Sequence, residues 1–308
     1  MPDGAEFVGA GCYRCLPMKD QAAKAKLTRT AGRLSLAAAL VLGLGGCTTL
    51  GKPNATSQEA PLRDTSQANL TSLSEIIDTH PDDPQAYNMR GTVYGEAGRT
   101  EQALADFNKA ISLDPNYAQA YANRALIYRK TGRLDLALTD DNKALTIDAS
   151  YAPAYLGRGI VNREQGRKNQ ALDDFNKAIS LRPDNAEAYY NRGLLYQSER
   201  QHSFAIDDFS TALGLTNQNY DAYVARALSY LAIADNKSAA QDLDVAVQSD
   251  PLNLRAWTSR GLAYERLGQK DKAAGSYAKA LNINDKYQPA KDGFARVGGR
   301  IGQTYPTF

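Results

Sequence analysis

From Pro84 to Tyr287 the apolar positions recur every 34 residues, six times over with no insertion. An aromatic stands at Tyr87, Tyr121, Tyr155, Tyr189, Tyr223 and Trp257, and a small residue follows four positions later at Gly91, Ala125, Gly159, Gly193, Ala227 and Gly261. Alanine fills two further columns: Ala103, Ala137, Ala171, Ala205, Ala239 and Ala273, then Ala110, Ala144, Ala178, Ala212, Ala246 and Ala280. Within the first unit, Tyr87, Gly91 and Tyr94 share one face of a helix. Ala103, Phe107 and Ala110 share a face of the next, with Gly98 and Arg99 separating the two. Neither helix can hide its stripe alone, and the small residues let the backbones approach. The spacing therefore predicts antiparallel helix pairs over 84–117, 118–151, 152–185, 186–219, 220–253 and 254–287, stacked into one continuous core with a concave face.

The same register extends at both ends. Leu70, Leu73, Ile76 and Ile77 mark an amphipathic helix from about Ser66, a half repeat expected to cap the N-terminal end. Asp83 is placed to cap the first full repeat, with Pro84 at the first helical position. Gln288–Val297 carries Phe294 and Ala295 in the first-helix columns and predicts a C-terminal capping helix that Gly298 and Gly299 stop. The solenoid is expected over 66–297, followed by a flexible tail over 298–308.

Aromatic, small residue, Tyr, Ala, Phe, Ala, Pro at these spacings resembles the tetratricopeptide repeat (TPR). The resemblance implies an all-α TPR solenoid, a right-handed superhelix of six full repeats with an N-terminal half repeat and a C-terminal capping helix. It also implies a protein that binds protein or peptide along the face built by the first helices. The columns expected there contain Leu156, Tyr190 and Val224, then Leu126, Ile160, Leu194, Leu228 and Leu262, with Arg129 and Arg163 on the edge. That pattern suits an amphipathic helix or an extended peptide, or else the leucines bury against the neighbouring repeat. The Lys and Asn positions of the family's carboxylate clamp are occupied by Asn88, Ala122, Leu156, Thr92, Leu126 and Ile160, so the clamp is not expected.

The chain has 308 residues, 43% hydrophobic and 23% charged, with a formal net charge of +2. Residues 1–46 hold six Lys or Arg against three acids, which leaves the rest near −1 and argues against nucleic acid as a partner. That early stretch reads as an address: a basic region (Lys19, Lys24, Lys26, Arg29, Arg33), a short apolar run over Leu34–Gly46, then Leu44-Gly45-Gly46-Cys47. The tetrapeptide resembles the bacterial lipoprotein cleavage box, which implies that Cys47 becomes the first mature residue and carries the lipid. Thr48 is not the aspartate that retains enterobacterial lipoproteins in the inner membrane, so the resemblance implies the outer membrane, facing the periplasm.

The expected layout is an extension over 1–17 ahead of a true start at Met18, a signal peptide over 18–46, and a flexible tether over 47–65. Cys12 and Cys15 form one isolated pair in the extension, and no cysteine follows Cys47. Lipobox, tether and Arg-Gly helix pairs together resemble the NlpI-like TPR lipoproteins, which implies an adaptor for periplasmic protease or peptidoglycan enzymes. An assembly factor for outer-membrane proteins or type IV pili is the alternative within the same class. A hydrolase or enzyme accessory subunit is disfavoured, because His80 and His202 have no accompanying Cys, His or carboxylate at ligand spacing and no Gly-x-Ser-x-Gly occurs. No metal or cofactor is expected, and oligomerisation stays open.

Two departures from the apolar pattern remain. Arg90, Arg124, Arg158, Arg192, Arg226 and Arg260 stand just before the small residue, while Asp106, Asp140, Asp174, Asp208 and Asp242 recur in one column of the partner helix. A structural ladder of charge-assisted pairs is the preferred reading over an anion site, with Ser276 breaking it in the last repeat. Asp141 replaces the Phe of Phe107, Phe175 and Phe209, and Asn162 replaces a Tyr in the next repeat. The two are expected to form one polar seam, with Asp141 reaching Asn162 or Arg158.

Overall fold

The computed structural model describes residues 60–216, 219–300 and 302–306. Every regular element among them is a helix. In chain order they are α1 (Ala60–Thr79), α2 (Pro84–Glu96), α3 (Thr100–Leu113), α4 (Ala118–Lys130), α5 (Leu134–Ile147), α6 (Ala152–Glu164) and α7 (Lys168–Leu181). There follow α8 (Ala186–Ser198), α9 (His202–Leu215), α10 (Tyr220–Ala232), α11 (Asn236–Ser249), α12 (Leu254–Arg266), α13 (Lys270–Ile283) and α14 (Gln288–Arg296). Pairs α2/α3 to α12/α13 are the six repeats, each helix packing on its hairpin partner and on the next pair. This is an all-α solenoid.

Local chemistry sets the boundaries. Asp83, Asn185, Asn219, Asp235 and Asn253 each accept a backbone N–H of the first turn that follows, supplying one of the acceptors a helix start lacks. Between the helices of a pair the chain turns through positive φ, at Gly98, Gly132, Gly166 and Gly268. Arg200 (φ 59°) and Ala234 (φ 64°) adopt the same backbone without glycine's freedom.

Both alanine columns are buried along the whole stack. The small column explains how the pairs close. Where its residue is glycine, an aromatic ring lies directly on the helix: Phe107 on Gly91, Phe175 on Gly159, Phe209 on Gly193 and Tyr277 on Gly261. A Cβ at Gly193 would sit 2.7 Å from the Phe209 ring. Where the column holds Ala125 or Ala227, the facing residue is the smaller Asp141 or Leu243. Ring and glycine are thus one packing unit, alanine and a shorter side chain another.

The ends differ from expectation. α1 begins at Ala60, six residues before the position its apolar spacing indicates, so its first turns replace the last part of the expected tether. Leu70, Leu73 and Ile77 are buried, as a capping half repeat requires, while Ile76 faces outward. At the other end, residues 302–306 do not trail away. Tyr305 packs edge-on to Phe294 with ring centroids 5.8 Å apart, its hydroxyl accepts from the Arg300 backbone N–H at 2.6 Å, and the Pro306 carbonyl lies over Gly275. The tail thus returns across α13 and α14. Cys47, the signal-like segment, the extension and the first part of the tether lie outside the described residues.

Candidate functional site

The Arg and Asp columns meet. Arg90–Asp106, Arg124–Asp140, Arg192–Asp208 and Arg226–Asp242 each join through two parallel bonds, Nε to one carboxylate oxygen and Nη2 to the other, at 2.7–2.8 Å. Arg158 makes the same approach to Asp174, with its shortest bond at 2.6 Å. The aspartates are buried and the arginines largely so, which makes each a geometrically fixed ion pair rather than a surface contact. Their hydrogen bonds with Asp106, Asp174, Asp208 and Asp242 raise the pKa of Arg90, Arg158, Arg192 and Arg226 above the usual arginine value.

Two further features of this ladder come only from the coordinates. The remaining nitrogen, Nη1, donates backward to the preceding repeat, to Ser74, Asn108, Asn142, Asn176 and Ser210 in turn. Each arginine therefore ties its own hairpin and also staples it to its neighbour. Except at Arg158, where Asn162 takes the second place, aromatic rings flank the guanidinium three residues before and four after, as Tyr189 and Tyr196 do at Arg192, with centroids 5.6 and 5.9 Å from Cζ. In repeat six the carboxylate changes sides. Arg260 donates from Nε to Asp244 at 2.6 Å and from Nη1 to the Ser276 hydroxyl at 2.8 Å, so the acid stands in the lateral column and the hydroxyl in the hairpin column. The lateral column was present in the sequence as a polar residue two positions after each Asp, but its chemistry varies between Asn, Ser and Asp.

The first-helix face divides the residues expected on it. Leu156, Ile160 and Val224 are buried in the stack and do not form the open groove expected of them, Leu156 and Ile160 keeping only an edge toward a small cavity between α4 and α6. They sit where adjacent first helices touch, so burial there is the ordinary consequence of stacking. Arg129, Arg163, Tyr190, Leu194 and Leu228 are half-buried, and Leu126 is exposed. Tyr190 leans on Phe209, with centroids 5.8 Å apart. Arg163 is engaged with its neighbour, reaching Asn191 Oδ1 at 3.4 Å. Asn123 similarly donates to Asn88 at 3.0 Å, and Gln197 to the Ala225 carbonyl at 2.7 Å, so much of this face's polarity bridges repeats.

The single polar seam does not form. Asn162 donates to Asp174 at 2.9 Å and accepts from Arg167 at 2.8 Å, taking over the place where Tyr94 and Tyr128 stack against Arg99 and Arg133 in earlier repeats. Asp141 reaches neither Asn162 nor Arg158. Its carboxylate points the other way, over Gly157 of α6, with Oδ2 lacking any hydrogen-bond partner. Asp141 is 2% exposed, and burial, opposed by the charge of Arg129, pushes its carboxyl from 3.8 up to about 8.

Among the described residues no group of three His, Cys, Asp or Glu could hold a metal ion, and no helix is long and apolar enough to cross a membrane. The His80 ring meets the adjacent Thr79 hydroxyl through Nδ1 at 3.0 Å.

Three TPR family profiles match the chain: one described as TPR repeat over 91–132 and 161–198, and two described as tetratricopeptide repeat, over 224–289 and over 118–151 with 186–219. No curated protein shows significant similarity to the sequence. Among solved structures, a chain of the APC/C hetero-tetramer Cut9–Hcn1 is similar with TM-score 0.66 and 17% identity over 75% of this chain, which spans 46% of that one. PilF of Pseudomonas aeruginosa is similar with TM-score 0.64 and 23% identity, covering 69% of this chain and 97% of its own. YrrB, a TPR protein with an unusual peptide-binding site, is similar with TM-score 0.53 and 25% identity, covering 60% of this chain and 96% of its own. With repeats, helix pairs and family profiles in one register, the chain belongs to the tetratricopeptide repeat family.

Proposed function

We propose that this protein is a non-catalytic scaffold, lipid-anchored through Cys47 to the periplasmic side of the outer membrane, that holds envelope proteins on its first-helix face. One observation carries the binding half of the reading: Leu126 in repeat two, Tyr190 and Leu194 in repeat four, Leu228 in repeat five and Leu262 in repeat six keep part of their apolar surface open. Arg129 supplies a basic position beside that strip. The peptide-binding site of YrrB, on a related stack of repeats, supports the same use of the fold. A lipoprotein-type box ahead of a polar stretch supports the anchor; two or more acyl chains, at about 0.8 kcal/mol per buried methylene, hold a protein to a bilayer stably.

The partners suited to this position are peptidoglycan enzymes or a periplasmic protease. Affinity capture from detergent extracts tests it, comparing the native chain with a Leu194→Asp, Leu228→Asp variant. Loss of the native partners in the variant is the expected result. Identical captures would refute the face, and capture of outer-membrane or pilus assembly components would redirect the role. Fatty-acid analogue labelling that survives Cys47→Ala would remove the anchor.

A further inference from the structure

Asp141 is the only acid in its column: the other repeats place Phe107, Phe175, Phe209, Leu243 and Tyr277 there. In repeat two the carboxylate forms the inner end of a cavity of about 140 Å³ that opens between α4 and α6 on the first-helix face. Its apolar walls are Ala122, Leu126, Pro153, Leu156 and Ile160, and Asn123, Arg129 and Glu187 supply polar lining. Gly157 makes the space, since a Cβ there would lie 2.9 Å from Asp141 Oδ2. The neighbouring repeats carry Asn123 and Asn191 at that position. An acid in place of an apolar side chain, and a glycine in place of a larger residue, thus combine to give a chamber with an acceptor that no donor of the protein meets.

We propose that this cavity receives the side chain of a lysine from a bound protein segment, its methylenes against Leu126, Leu156 and Ile160 and its ammonium on Asp141. The cavity has the size of one long side chain, Leu126, Leu156 and Ile160 give it an apolar side, and Asp141 Oδ2 lacks a donor. Glu187 adds a second negative charge to the lining. The proposal rests on the protein-binding reading of this face, and it deepens that reading by naming the residue the partner inserts.

The charged groups around Asp141 are Arg129 of α4, Asp140 of α5, Arg158 of α6, Asp174 of α7 and Glu187 of α8. Asp140 is paired with Arg124 and Asp174 with Arg158, which leaves Arg129 as the cation that competes with an incoming lysine. Because the Asp141 carboxyl is held at about 8, an ammonium must displace its proton. Affinity for a cation is therefore expected to rise about tenfold between pH 7 and pH 9, while a lysine ammonium stays charged.

The pocket can be tested without any partner by titrating n-butylammonium, the chain and head of a lysine side chain, into the full-length protein. The readouts are the Asp141 carboxyl carbon and the Gly157 amide by NMR, with 1-butanol as the neutral comparator. Butylammonium is expected to shift both signals, to bind about tenfold more tightly at pH 9 than at pH 7, and to lose its site in Asp141→Leu and Asp141→Asn. Equal binding of butanol and butylammonium, no binding at pH 9, or an Asp141 carboxyl already ionised at pH 6 against Arg129 would each overturn the proposal. Those failures leave the capture experiment on Leu194 and Leu228 untouched, so the pocket and the groove fall separately.

Discussion

Replacing Asp141 with leucine should make the protein more stable, by an amount that grows with pH. Folding raises this carboxyl from 3.8 to about 8, so between those values the folded state keeps a proton that the unfolded chain releases. For an acid shifted upward, stability is unaffected below the unfolded pKa and falls as pH rises, by about 1.4 kcal/mol per unit, until the folded pKa is passed. At pH 7 the penalty is about 4 kcal/mol, and between pH 5 and pH 7 it grows by about 3 kcal/mol. Leucine fits because repeat five already has the combination, Leu243 opposite Ala227, where repeat two has Asp141 opposite Ala125. Asp140 and Asp174 keep their ion pairs with Arg124 and Arg158 in both proteins. Urea unfolding at pH 5, 6 and 7 measures that difference, with amide exchange in α5 and α6 as the local readout, since repeat stacks need not unfold as one unit. Parallel stability curves for the native protein and Asp141→Leu would refute the argument, as would a variant that is less stable at pH 7.

Three other outcomes can be checked by chemical denaturation. Asp208→Asn should cost about 3 kcal/mol, because it leaves Arg192 without a carboxylate in a largely buried site, and Arg192→Lys should cost less but abolish the two-pronged pairing and the staple to Asn176. Gly193→Ala should destabilise by about 1–2 kcal/mol despite alanine's better helix propensity, since its Cβ would press on the Phe209 ring; a neutral or stabilising result would show that the ring can shift. Ala234→Gly, and separately Arg200→Gly, should each stabilise by about 0.5–1 kcal/mol by relieving positive φ at a turn where four other repeats use glycine, and unchanged midpoints would count against strain there.

The sequence made the solenoid legible because identical columns overdetermine it. A helix pair with Phe107 lying on Gly91 can be closed in one way, and repeating it leaves only the ends to settle. The hairpin half of the ladder was legible for the same reason, since Arg and Asp recur 16 positions apart on helices already known to touch. Its lateral half was not, because Ser74, Asn108 and Asp244 share an accepting role but not a residue type. The returning tail was equally hidden: Tyr305 shows no period, and its place depends on Phe294 of α14.

The contacts of Asp141 and Asn162 escaped sequence reasoning for a geometric reason. Substituted columns close in register suggest side chains that meet, but a helix has two flanks, and which one a short polar side chain takes depends on where space is left. Asn162 occupies the flank that a tyrosine would fill and finds Asp174 and Arg167 there. Asp141 is directed to the opposite flank, where Gly157 has removed a side chain from the next helix. The glycine gave the only sequence signal for that direction. Since glycine in the interior of a helix costs about 1 kcal/mol relative to alanine, and the buried acid costs more, the pair is expensive for a stack whose other repeats do without either. A position that only packs would have no use for such a combination, so the groove's specificity is best sought between repeats two and three.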